Sequence, residues 1–244
     1  MMNQSMNHFL KSRYDIELPV ELYLFKSSYC NIYLLETGGK GLLVDAGKEG
    51  KEQAFLDFLA QVNLEPKTLK YIVLTHTHND HTGALRGIAE ATGAKIAVHA
   101  NEADNLREGY TRAPLGTGLF TKTISFIGRK VAPSNLRYPP VEPDIILGKE
   151  QQEDFEHWHI EWFHTPGHTD GSVTYITDGK VALPGDDIFG IRRNDSMPWF
   201  ANDLNALKKS WELLLDSGAQ IFLPAHGKPV TREILEQSYR KLAG

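Results

Sequence analysis

The amino-acid sequence predicts an α/β protein, and three of its features carry that prediction. Short runs of β-branched and aromatic residues recur along the chain, and stretches with apolar residues at helical spacing separate them. Several of the apolar runs also end in a turn that carries an acid or a histidine.

The elements follow in order. Val20 to Gly47 reads as strands around a Gly38-Gly39 turn, and the last of them, LLVDAG, ends in Asp45. Residues 51–62 place Phe55, Phe58, Leu59 and Val62 on one helical face. Tyr71 to Leu74 is the next strand, and a histidine-rich stretch follows it directly. ALRGIAEATG then predicts a helix closed by Gly93 and KIAVHA a strand, the alternation of a sheet covered by helices. Residues from about 104 to 142 break this rhythm with glycine, proline and aromatics in no clean period, which predicts a lid-like insertion. From Asp144 strands resume through IIL, HIEWFHT, SVTYIT and VALPGD. A helix spans about Asp203 to Asp216, with Leu204, Leu207, Trp211 and Leu214 on one face and Asn202 as N-cap. IFLPAHG is a last strand, and TREILEQSYRKL a closing helix capped by Thr231. No linker or low-complexity tract divides the chain, so residues 1–244 are expected to form one domain.

Bulk properties narrow the function. The net charge of -5 and pI near 6.1 supply no basic field for phosphates, which argues against nucleic acid as a partner. The sole cysteine, Cys30, excludes an intrachain disulfide and a Cys-rich structural zinc site; in its apolar stretch it reads as a small buried hydrophobe. Neither a signal-peptide pattern nor a run of about 18 apolar residues occurs, so the expectation is a cytoplasmic protein with no membrane partner. A small-molecule substrate is the expected partner, and a homodimer is left open.

The chemistry concentrates in Thr75-His76-Thr77-His78-Asn79-Asp80-His81-Thr82-Gly83, four potential ligands within six residues at the end of the strand YIVL. His76 and His78 can point the same way, while Asp80 and His81, at the start of the next helix, turn toward a neighbouring position. Imidazole and carboxylate suit zinc, manganese or iron. His168 in TPGH and His226 in PAHG each follow an apolar strand at a turn fixed by proline and glycine. Either alone reads as a turn histidine bonded to backbone; beside the cluster they read as ligands. Asp186, in VALPGDD, is a carboxylate that could bridge two metals, whereas Asp187 reads as a solvated turn residue.

Asp45 after a strand, then HTHNDH, TPGH, PGDD and PAHG resemble the sequence motifs of the metallo-β-lactamase superfamily, over residues from about 30 to 230. The resemblance implies a four-layer αβ/βα sandwich of two mixed sheets with helices outside, and a metal site along one edge. It implies that His76, His78 and His168 bind one metal, that Asp80, His81 and His226 bind the other, and that Asp186 bridges them. Asp45 would position the HTHNDH loop rather than ligate.

The expected cofactors are two divalent ions, zinc first, with manganese or iron as alternatives. Two such ions about 3.5–4 Å apart can activate a bridging water to attack an ester-like carbonyl, a thioester or lactone, with Asp80 orienting it. Lactonases similar to this sequence carry a tyrosine three residues after the bridging aspartate; here that residue is Phe189, and Tyr110 or Tyr138 would have to substitute. The glutathione-binding helical region of glyoxalase-type thioesterases is not expected in the short stretch after His226. The β-lactamase class with a cysteine ligand is set aside, because Cys30 lies outside every motif. Phe120, Phe126, Tyr138, Arg192, Arg193, Trp199 and Phe200 are expected to form an acyl or carboxylate pocket, with Arg192 touching substrate. The alternative reaction class is an iron persulfide dioxygenase with one iron on His76, His168 and Asp186, although DIFGIRRNDSMPWF lacks the glycine-cysteine-glycine-arginine pattern of that branch. A catalytically silent binding protein is a third reading, which nothing in the sequence recommends.

Overall fold

The computed structural model describes residues 5–118, 121–123, 125, 136–148 and 155–243. Two mixed sheets meet face to face. The first comprises β1 (Glu21–Ser27), β2 (Cys30–Thr37), β3 (Lys40–Val44), β4 (Leu69–Val73), β5 (Lys95–His99) and β6 (Ile145–Leu147), adjacent in chain order. Its first three strands form an antiparallel meander, turned at Gly38 and Gly39, both in the left-handed region. From β3 onward the pairing is parallel, because helices cross between the strands. The second sheet runs in the order β11-β10-β9-β8-β7, from β7 (Ile160–His164), β8 (Val173–Thr177), β9 (Val181–Leu183), β10 (Ile221–Phe222) and β11 (Val230–Thr231).

The side-chain alternation of the strands explains why four layers stack. Ile32 and Leu34 of β2, Leu43 of β3 and Ile72 of β4 pack outward, against Phe55, Phe58 and Leu59 of α2 (Glu52–Gln61) and Leu85 and Ile88 of α4 (Leu85–Thr92). Their neighbours Tyr33, Leu35, Leu42, Val44 and Val73 face inward, where Val173, Tyr175, Val181 and Leu183 of the second sheet meet them. Ile176 and Ala182 point to the opposite side of that sheet, against Leu207, Trp211 and Leu214 of α6 (Leu204–Asp216) and Leu235 of α7 (Arg232–Ala243). With both faces of each sheet buried, the strands read as nearly continuous apolar runs. The predicted four-layer sandwich is the observed one.

Several local expectations shift. Helix α6 is capped by Asp203, whose Oδ1 accepts from the backbone N–H groups of Asn205 (2.8 Å) and Ala206 (3.0 Å). Asn202 is not the cap; its Oδ1 accepts from Leu115 N at 3.2 Å, and the helix therefore starts one residue later. Leu204 is more than one-third exposed, off the buried face of α6. Helix α1 (Met6–Tyr14), capped by Ser5 and anchored by Leu10, is an element the sequence pattern did not single out. Residues 103–108 continue as α5 (Ala103–Glu108), and Gly109 ends it in the left-handed region. The irregular stretch is sewn down at its ends, since Tyr138 N donates to Gly109 O and Val141 N to Leu106 O. Residues 115–117 lie beside 199–201, with Thr117 N bonded to Trp199 O and Ala201 N to Leu115 O. Among the described residues no helix is long and apolar enough to cross a membrane.

Candidate metal centre

The ends of β3, β4, β7 and β9 and the turn after β10 deliver five histidines and three carboxylates to one edge of the sandwich. Asp45, just after β3 and at φ +65°, is the organising residue. Its Oδ1 accepts from Thr75 N (2.8 Å), and its Oδ2 accepts from Thr75 Oγ1 (2.8 Å) and His81 Nδ1 (2.8 Å). One buried carboxylate thereby fixes both the start of the HTHNDH loop and the ring that closes it. Asp80 and His81 sit in α3 (Asn79–Thr82), the single helical turn that lifts them away from His76 and His78.

The orientation of each imidazole follows from what holds its other nitrogen. Thr75 Oγ1 gives its only proton to Asp45, so it accepts from His76 Nδ1 at 3.1 Å. His78 Nε2 donates to Arg112 O (3.3 Å), His168 Nδ1 to Phe200 O (2.9 Å) and His226 Nδ1 to Tyr29 O (3.2 Å). The nitrogens left bare are His76 Nε2, His78 Nδ1, His168 Nε2, His81 Nε2 and His226 Nε2, and all five face the same space.

Two groups result. His76, His78 and His168 bring their nitrogens within 4.8 Å of one another. His78 Nδ1 and His168 Nε2 are only 2.9 Å apart although both are lone pairs, a repulsive arrangement that a cation among them relieves. In the second group His81 Nε2 lies 4.0 Å from Asp80 Oδ1, and His226 Nε2 lies 3.3 Å from Asp80 Oδ2. Asp186 sits between the groups. Its Oδ1 is 3.4 Å from His81 Nε2 and 3.2 Å from His226 Nε2, and its Oδ2 is 3.6 Å from His168 Nε2. His76 Nε2 and Asp186 Oδ1 are buried without a hydrogen-bond partner. Buried polar atoms left bare are costly, and their convergence fits divalent cations on a nitrogen and oxygen donor set.

Charge separates the two groups. Burial pushes His76 well down, lowers His78 and takes His168 down to about 4, so these three rings are neutral. At His226 burial is outweighed by the Asp186 and Asp80 carboxylates, which push it up to about 11; at His81 burial is outweighed likewise, by Cys30 and then by Asp45, Asp186 and Asp80. Asp80 is held down at about 2, since the His81 and His226 rings overcome the cost of burial. With no cation present, protons on His81 and His226 neutralise the two acids.

A cleft of about 600 Å³ opens over this floor. Tyr29, Pro114, Leu136, Ile191, Trp199 and Phe200 wall it, and Phe189 stands edge-on to His226 with ring centroids 5.1 Å apart. No lysine or arginine lines it among the described residues, and Lys48 Nζ packs over the Tyr29 ring without lining the cleft.

Of the expected substrate residues, Phe189, Trp199 and Phe200 line the cleft and four others do not. Tyr138 is buried, its hydroxyl bonded to Thr111 Oγ1 (2.8 Å) and Asn105 O (3.0 Å), so it braces the insertion against the core. Tyr110 packs under the Arg137 guanidinium. Arg192 points to solvent and pairs with Asp195 at 2.9 Å, and Arg193 is exposed outside the cleft. Phe120 and Phe126, with much of the insertion, lie outside the described residues. Asp187 is fully buried instead of solvated, and burial, offset only in part by Thr165, the His168 backbone and Ser172, pushes it up to about 8. His164 stacks on His99, away from the centre.

Tyr29, Pro114, Leu136 and Ile191 carry no motif signal; only the fold brings them to the cleft. Cys30 is buried as expected, yet its Sγ lies 4.0 Å from His81 Nε2.

Comparisons with known proteins bear on the family and the fold. The family model for the metallo-β-lactamase superfamily matches residues 27–226. A β-lactamase-like protein 2 homolog of Drosophila melanogaster is 29% identical over 86% of this chain, and the chain spans 62% of that relative's length. An atrochrysone carboxyl ACP thioesterase of Aspergillus chevalieri is 26% identical over 85% of this chain and 54% of its own length. Among solved structures, a subclass B3 metallo-β-lactamase of Bradyrhizobium japonicum shares the fold, with a TM-score of 0.67 at 18% identity over 93% of this chain and 90% of that one.

Proposed function

Because this chain belongs to the metallo-β-lactamase superfamily, we propose that it is a two-metal hydrolase that cleaves a thioester or lactone carrying a neutral, apolar acyl group. The observation that carries the reading is Asp186, a buried carboxylate with one oxygen toward His81 and His226 and the other toward His168. His76, His78 and His168 would hold one ion, and Asp80, His81 and His226 the other, with Asp186 shared. The completeness of the second donor set favours this hydrolase over a single-iron dioxygenase. Divalent ions, when bound, lower the pKa of water toward neutrality and polarise a carbonyl oxygen.

The side chains divide the remaining work. Asp80, on the cleft floor, orients the attacking water and takes the proton it gives up. As the water oxygen bonds to the carbonyl carbon, the C–S or C–O bond breaks, and the proton passes from Asp80 to the departing thiolate or alkoxide. Asp45 holds His81 in the tautomer that presents Nε2. Phe189, Trp199 and Phe200 exclude bulk water and seat the acyl chain.

The apolar wall supports the substrate class. A β-lactam, a glutathione thioester and a nucleic acid each carry anionic groups, and beyond the metal centre the described lining offers no lysine or arginine to meet them. The thioesterase relative is in keeping with an acyl substrate. The test is a panel of acyl thioesters and lactones, graded from acetyl to long chains, against zinc-loaded and chelated protein, with metal analysis alongside. Chelator-sensitive turnover that rises with chain length is expected. A single bound iron with oxygen uptake on a persulfide would overturn the reading.

A further inference from the structure

We infer that Cys30 is a ligand of the second metal position, which makes that half of the centre selective for thiophilic divalent ions. The inference rests on the two-metal reading and adds a donor to it. Cys30 opens β2, opposite Ser27 of β1, and its side chain is fully buried. Its Sγ lies 4.0 Å from His81 Nε2, and Sγ and the ligand nitrogens of His81 and His226 all lie within 4.8 Å of one another.

Both rings are turned so that this is the side they leave bare. Asp45 Oδ2 takes the His81 Nδ1 proton and Tyr29 O takes the His226 Nδ1 proton. Asp186 Oδ1 faces the same two rings, 3.2 Å from His226 Nε2 and 3.4 Å from His81 Nε2. Thiolate is a soft donor among imidazoles and carboxylates, so its presence shifts preference from manganese and magnesium toward zinc, cobalt and cadmium. As the metal–sulfur bond forms, the thiol proton leaves to solvent.

Cobalt(II) tests the assignment, because it reports sulfur ligation by a near-ultraviolet charge-transfer band separate from its visible d–d bands. Cys30 is the only thiol in the sequence, so the band has one source. The expected result is two bound cobalt ions with that band in the wild type, a metal–sulfur distance of about 2.3 Å by X-ray absorption of the zinc protein, and loss of the band in Cys30→Ser and Cys30→Val. Cadmium affinity at the second position should also fall by about tenfold or more, with manganese affinity nearly unchanged. Two cobalt ions with d–d bands but no charge-transfer band and no sulfur scatterer in the wild type would overturn the assignment and leave the two-metal reading standing. Failure to bind cobalt at all would overturn both. The wild-type spectra decide the matter even if the variants do not fold.

Discussion

Asp45 Oδ2 accepts a hydrogen bond from His81 Nδ1 at 2.8 Å, in a contact from which solvent is excluded. The same carboxylate receives Thr75 N and Thr75 Oγ1, so three donors from both ends of the HTHNDH loop depend on one side chain. Asp45→Ala strands those donors, a cost of about 1–3 kcal/mol for each buried group left unpaired. The expected outcome is a protein with a markedly lower melting temperature and a second metal bound about 10–100-fold more weakly. Asp45→Asn separates the two effects. Its amide N–H facing His81 would drive the ring to the Nε2–H tautomer, so metal stoichiometry should drop toward one ion while the fold persists. Two tightly held ions in Asp45→Asn, by metal analysis after dialysis, would contradict the orienting role.

The two halves of the centre also predict how metal and pH interact. In chelated protein His226 is held at about 11 and His81 well above 6.5. Groups raised in the folded state contribute stability that is complete below their ordinary value of 6.5 and is lost as pH climbs toward the folded value. His168, pushed down to about 4, acts oppositely, since unfolding takes up a proton below pH 6.5 and stability falls from there toward pH 4. Asp80, at about 2, adds a further loss as pH drops below its ordinary 3.8. Chelated protein should therefore be most stable near pH ~6 and weaken on both sides. Zinc takes the place of the His81 and His226 protons, so the gain in melting temperature on adding zinc should be larger at alkaline pH than near neutrality. A zinc-induced gain that does not change with pH would show that these rings are not the ligands.

The cleft wall predicts selectivity. Ile191 is 45% exposed at the mouth, so Ile191→Arg should fold normally. It places a guanidinium against an apolar wall, and should raise kcat/KM for acyl substrates ending in a carboxylate relative to neutral ones. Trp199→Ala should cost a long apolar acyl substrate about 10–100-fold in kcat/KM and leave an acetyl substrate nearly unaffected. Arg192→Ala, outside the cleft and paired with Asp195, should change neither. Equal losses on acetyl and long-chain substrates in Trp199→Ala would assign the tryptophan to stability instead of acyl binding.

The sequence was informative where chemistry is local and reticent where it depends on crossing the chain. Strand alternation set the layers, since Leu42, Leu43 and Val44 must face in turn toward one core, the other, and the first again. The ligand motifs stood out because histidine and aspartate beside glycine at a strand end have few other uses, and the structure brings His76, His78, Asp80, His81, His168, Asp186 and His226 to one edge. The cleft wall had no such mark. Tyr29 and Ile191 are ordinary apolar residues until the β1–β2 turn and the loop after Asp186 meet beside His226, a juxtaposition set by tertiary pairing such as Gly190 N to His226 O at 2.8 Å. Tyr138 and Arg192 were plausible by sequence proximity alone, but one has its hydroxyl taken by Thr111 and the other its charge taken by Asp195. Cys30 was invisible as a site residue, because His81 is 51 positions away in the chain.

The neighbouring acids Asp186 and Asp187 test how finely the environment divides two identical side chains. Asp186 lies beside the His226 and His81 rings, whose charge and hydrogen bonds hold it well below the usual carboxylate range despite burial. Asp187 is equally buried without a compensating cation, and burial pushes it up to about 8, so near neutrality its carboxyl is largely protonated. Asparagine is therefore a close mimic of Asp187 and a poor one of Asp186. Asp186→Asn should lose metal and turnover together, because a neutral amide cannot balance cations on both sides. Asp187→Asn should keep both. A group raised in the folded state is penalised progressively as pH rises from its ordinary 3.8 toward 8. Asparagine carries no such penalty, so the melting temperature of Asp187→Asn should gain on that of the wild type as pH is raised from 4 to 8 in chelated protein. A constant difference across that range would mean that Asp187 is already ionised in the folded protein, with a partner that satisfies its charge.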